Sequence, residues 1–123
     1  MAAGEYLKSA ASSLHRAAMH LQSQAKEMQA NLTRFKSEKT AVINNNTVEI
    51  KAKQAEQAGI NDSGRQSYLS VQIQKLQQEI MAAEQEIKQA EANLTNAVNA
   101  KLNSSVAIEN QAKQLESQAS SVD

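Results

Sequence analysis

Two histidines, His15 and His20, and the carboxylates Glu79, Glu84, Glu86 and Glu91 are the side chains of this sequence with the most chemistry to offer. A metal site needs several donors converging on one point. Five residues apart on a helix, the two imidazoles project about 140° from one another, so one helix cannot present both to one ion. His15 and Met19 do share a helical face, but no thiolate or acidic residue accompanies them there. Acid–base catalysis asks for a cleft that perturbs a carboxyl group. Glu84 followed by Lys88 spells instead a solvated i,i+4 ion pair in the favoured orientation. The absence of cysteine excludes disulfides, thiol catalysis and thiolate metal sites. Glycine-rich phosphate loops, paired-histidine metal helices and nucleophile elbows are also missing. The residues therefore predict a non-enzyme, with no catalytic, cofactor-binding or metal-ligating site and no small-molecule substrate.

The elements that carry these side chains are legible from spacing. In the first half large apolar residues recur every seven positions, at Leu7, Leu14, Leu21, Met28, Phe35 and Val42, with Ala11, Ala18, Ala25 and Leu32 four residues after the first four. The second half repeats the period at Ile73, Ile80, Ile87, Leu94, Lys101, Ile108, Leu115 and Val122, with companions Leu69, Leu76, Ala83, Ala90 and Ala97. A 4–3 alternation sustained this long is the seam of a coiled coil, and strict sevens imply a left-handed supercoil. With one Phe, two Tyr and no Trp, the chain lacks the aromatics that fill an ordinary globular core, and a thin seam of aliphatic and Ala side chains is expected.

Between the halves stands "AGINDSG" (58–64), holding two of the three glycines. Gly59 suits the left-handed stop of a helix ending at Ala58. Asp62 or Ser63 can cap the next helix, and Ser63 with Gln66 spells a capping box. The expected fold is all-α: a single domain over 1–123 forming one long antiparallel helical hairpin, with arm 1 about 4–58, a turn at 59–63 and arm 2 about 64–121. Folding back about Asn61 sets Leu7 against Leu115, Leu14 against Ile108, Met28 against Leu94, Phe35 against Ile87 and Val42 against Ile80. Lys101 then faces Leu21, where the small Ala18 and Ala25 leave room for its stem. "INNNTVEI" (43–50) is the weak point of arm 1. Three asparagines disfavour helix, Asn46 and Glu49 fit a second capping box, and a kink or break near Asn44–Asn46 is one expectation. The seam of the following segment is also poor, with Glu49 and Gln57 near core phase.

Charge narrows the partners. The net charge is zero, which gives no electrostatic drive toward nucleic acid, and no basic stripe with interleaved aromatics is present. Residues 1–58 carry eight Lys/Arg against five Asp/Glu, and residues 59–123 carry five against eight, a bias that favours packing one arm on the other. No window approaches the ~18 apolar residues of a membrane span. No leader pattern opens the sequence, so the expected location is cytoplasmic, or outside the cell by a route without a cleaved signal peptide.

A second apolar stripe at Val98, Leu102 and Val106 lies off the main seam, and the hairpin register brings it near Met19. Such a stripe is expected to face another helix. These four residues form the candidate interface, with the partner being a second copy of the chain or another helical protein. The expected function is that of a structural or adaptor coiled-coil protein assembling as a four-helix bundle or larger oligomer. The alternative is a secreted hairpin. The pattern is similar to the small helical-hairpin substrates and effector companions of bacterial type VII secretion, although the loop lacks their Trp-x-Gly signature. Prefoldin-like chaperones use hairpins of similar length but join the arms through strands, whereas "AGINDSG" is a bare turn.

Overall fold

The computed structural model describes residues 2–122, and among them there are two helices and no strand. Helix α1 spans Ala3–Gly59 and α2 spans Ser63–Val122, joined by residues 60–62. The two helices pack against each other in opposite directions, as the three-residue connection between them requires. By contact the chain divides into two compact units. Unit 1 comprises Met1–Asn31 with Asn93–Asp123, and unit 2 is Leu32–Ala92.

Unit 1 is built on small residues. Its buried positions are Gly4, Ala11, Ala18 and Ala25 on α1 and Val98, Ser105, Ala112 and Ala119 on α2, each run repeating every seven residues. Leu7, Leu14, Leu21 and Met28, with Leu94, Ile108 and Leu115, flank them half-buried. Small side chains let two helix backbones approach closely, so the alanines are sealed off while the larger residues lean over the edges of the seam. Ser105 satisfies its hydroxyl locally, donating to the Leu102 carbonyl at 2.8 Å. Lys101 is half-buried and its amine donates to Gln24 Oε1 at 3.0 Å, so its stem lies along the seam and its charge ends on a polar partner.

Unit 2 contains the turn. Its buried apolar side chains are Leu69, Ile73 and Ala83 on α2 and Ile50 on α1, with Ile43, Phe35, Ile80 and Ile87 half-buried. Here α1 departs from the expected seam. Phe35, Lys39 and Ile43 follow one another at two successive four-residue steps, so Ile43 turns inward and Val42 is 41 % exposed. From there the inward positions are Asn46, Ile50, Lys53 and Gln57, while Glu49 is exposed. A corresponding pair of four-residue steps in α2, Ala90 to Leu94 to Val98, buries Val98. The segment 43–50 is unbroken α-helix and Asn46 caps nothing. Its buried amide donates instead to Glu79 Oε2 at 2.9 Å, and Thr47 returns its hydroxyl to the Ile43 carbonyl at 2.7 Å. Burial of Ile43 and Ile50 on the same face outweighs the poor helix propensity of three asparagines.

The turn is capped by side chains. Asp62 Oδ1 accepts from the backbone N–H of Gly64 (2.9 Å) and of Arg65 (3.3 Å), which makes Asp62 the N-cap of α2. The expected capping box of Ser63 and Gln66 does not form. Gln66 points its amide at the end of α1, donating to the carbonyls of Ile60 (2.6 Å) and Gln57 (3.4 Å), while Gln57 donates to the Gln66 carbonyl at 2.9 Å and to Ser70 Oγ at 2.7 Å. Gln66 thereby satisfies carbonyls at and just beyond the end of α1. Accordingly Gly59 is not left-handed: no glycine among the described residues has positive φ, and a Cβ at Gly59 would meet nothing within 4 Å. Gly59→Ala should therefore raise stability by about 0.5–1 kcal/mol by restricting the unfolded chain, read as a higher urea midpoint. A lower midpoint would show that the backbone here needs glycine.

Candidate functional site

A cluster of titratable side chains centred on His15 bridges the helices of unit 1. Helical spacing explains it. Glu109 and Glu116 are seven residues apart on α2, two turns along one flank of the seam, and His15 lies on the matching flank of α1. His15 Nδ1 meets Glu109 Oε2 at 2.8 Å, and Nε2 meets Glu116 Oε1. A neutral imidazole has only one N–H, so hydrogen bonding to both carboxylates at once requires the imidazolium. The ring is about a third exposed and sits in an open groove of about 390 Å³ lined by Lys8, Ser12, His15, Glu116 and Ser120. Hydrogen bonding to Glu116, and next to Glu109, raises its pKa above the ordinary 6.5, with partial desolvation acting weakly in the opposite sense.

This arrangement suits proton binding. With both ring nitrogens donating to carboxylates, His15 has no lone pair with which to activate Ser12 or Ser120 as a nucleophile. Among the described residues no group of three or more His, Cys, Asp or Glu is placed to hold a metal ion. His20 is on a different face and hydrogen-bonds Gln24 of its own helix at 3.1 Å.

Compared with protein-family models, with curated proteins and with solved structures, the chain matches none. The reading of the site therefore rests on its geometry alone.

Three of the four residues expected at an interface share the flank of the histidine. Met19 is one turn beyond His15, Leu102 is seven residues before Glu109, and Val106 is one turn beyond Leu102. They are 64 %, 37 % and 58 % exposed. Val98, expected on the same outward stripe, belongs to the seam at 5 % exposure, because the second four-residue step in α2 rotates it inward. The seam residues Leu7, Leu14, Leu21, Met28, Phe35, Ile73, Ile80, Ile87, Leu94, Ile108 and Leu115 are all at least half-buried, and only Val42 is not.

The acidic stretch of α2 also finds partners. In unit 2 Glu86 pairs with Lys39 (2.5 Å), Glu91 with Lys36 (2.8 Å), and Glu79 with the amide of Asn46. At the turn Arg65 holds Glu56 at 2.8 Å and lies 5.1 Å from the centroid of the Tyr68 ring. Ion pairs this exposed are each worth about 0–1 kcal/mol. The two lysine pairs run from α1 to Glu of α2, the direction that the opposite charge bias of the two halves favours, and Arg65–Glu56 at the turn runs the other way.

Proposed function

We propose that this chain is a non-enzymatic structural or adaptor protein that acts by helix–helix association, first of all with copies of itself, as a coiled-coil four-helix bundle or a larger helical oligomer. The observation that carries this reading is surface area. The chain exposes 8386 Å², whereas a compact monomer of its mass exposes about 6,500 Å². The excess of roughly 1,900 Å² per chain is of the size that obligate homodimers remove from each partner. The flank bearing Met19, Leu102 and Val106 supports the same reading, since apolar side chains on a seam-forming helix are best buried against another helix.

Sedimentation equilibrium tests it. The expected mass at micromolar concentration is a whole multiple, two or more, of the 13.4 kDa chain. The double variant Met19→Glu, Val106→Glu, at two exposed positions, should move the distribution toward single chains while leaving the helical circular dichroism intact. A single-chain mass for the wild type across the whole range, up to about 100 μM, overturns the proposal, since obligate homodimers associate well below that concentration.

A further inference from the structure

We infer that His15 is a proton-operated clasp between α1 and α2 in unit 1: protonated, it fastens both Glu109 and Glu116 to α1, and on losing its proton it releases one of them. The inference stands on where the groups are. The ring lies between two carboxylates of the opposite helix, one at each nitrogen. When the proton leaves, one nitrogen becomes an acceptor facing a carboxylate oxygen, two lone pairs directed at each other, and that contact changes from attraction to repulsion.

Other charged groups share this flank. From α1 these are Lys8, which lines the groove beside Glu116, and Arg16, whose guanidinium donates to Ser13 Oγ of its own helix at 3.4 Å. From α2 they are Glu109, Glu116 and, between them in sequence, Lys113. Lys113 stands four residues beyond Glu109 on the same helix, so it cannot tie Glu109 to α1. Beneath the clasp the fully buried positions are Ala11, Ala18, Ser105 and Ala112, which bury little apolar area, while Leu14, Ile108 and Leu115 are half-buried at the edges. The hold between the helices at this level therefore depends on the polar contact more than it would above a leucine seam.

The sign follows from the direction of the shift. Folding raises the proton affinity of His15, so its contribution is fully present below about pH 6.5, the ordinary value, and is lost as pH rises through the higher folded value. For each unit by which the folded value exceeds the unfolded one, the opening equilibrium changes by a factor of about ten across that interval. The range should stay above about pH 5, clear of the ordinary carboxyl range.

Amide hydrogen exchange, corrected for its intrinsic pH dependence and run where sedimentation gives a single species, tests the clasp. Protection of amides in residues 11–19 and 105–116 should fall from pH 5.5 to pH 8.5 by the factor that the His15 titration dictates, and amides around Leu69 and Ile73 should not follow it. His15→Gln should remove this dependence, and His15→Lys, which keeps its charge, should stay protected throughout. His20→Gln should leave the wild-type profile as it is, because the hydrogen bond of His20 is to Gln24 of its own helix. In the wild type itself, NMR titration of the His15 ring should give a midpoint above 6.5. A midpoint at or below that value, or a His15→Gln profile with the wild-type slope, overturns the clasp. The inference does not rest on self-association: a single-chain mass would sink that proposal and leave the exchange profile unaffected.

Discussion

Leu69→Ala should lower the free energy of unfolding by about 2–5 kcal/mol, the largest loss expected from any single truncation in unit 2. The four buried apolar residues of that unit are Ile50, Leu69, Ile73 and Ala83, and Leu69 is the most completely enclosed, at 0 % exposure. On α1 the inward positions of the same unit include Asn46, Lys53 and Gln57, which contribute stems and amides rather than hydrocarbon. Little apolar material can therefore move into the space that a missing isobutyl group leaves. Urea denaturation followed by helical circular dichroism measures the loss, and Leu69→Met, which keeps the volume, should cost less than about 1.5 kcal/mol. Equal and small effects of the two substitutions would mean that Leu69 is not packed as described.

In unit 1 the sensitive substitution runs the other way, from small to large. Ala18 is 0 % exposed, within a run whose buried members are glycine, alanine, serine and a single valine. Ala18→Leu adds three carbons where two helix backbones are close, and the helices must separate to admit them. The expected loss is about 1–3 kcal/mol or more. The neighbouring Ala17 is exposed, and Ala17→Leu should change stability by no more than about 0.5 kcal/mol. The contrast between adjacent positions makes the pair informative, because helix propensity is nearly the same for both. If the two variants melt alike in the same urea titration, the alanine seam is wrongly placed.

The sequence made the hairpin plain because the period of seven runs through both halves and only "AGINDSG" interrupts it with turn chemistry. Asp62 was legible as a cap for the same local reason. The seam shifts were not legible. Val42 and Ile43 are both apolar, as are Ala97 and Val98, so spacing alone does not decide which of two neighbours turns inward after a second four-residue step. Gly59 was misread because glycine after a helix usually marks a left-handed stop, and the carbonyls here are served by Gln66, a side chain from the other helix. The clasp was hidden by distance. Glu109 and Glu116 stand 94 and 101 residues from His15, and nothing local to the histidine names them. The available signal was their seven-residue separation, in step with the seam, on the arm that folds back over His15.

The alanine seam of unit 1 also bears on how the protein responds to temperature. The heat capacity gained on unfolding follows the apolar area exposed, and a seam of Ala11, Ala18, Ala25, Ala112 and Ala119 has little to expose. Its stability curve is accordingly expected to be shallower than that of a core of fully buried leucines, and the half-buried Leu7, Leu14, Leu21, Ile108 and Leu115 supply most of the curvature it has. Cooling weakens such a seam less than it would a leucine-filled core, since less of its hold is hydrophobic.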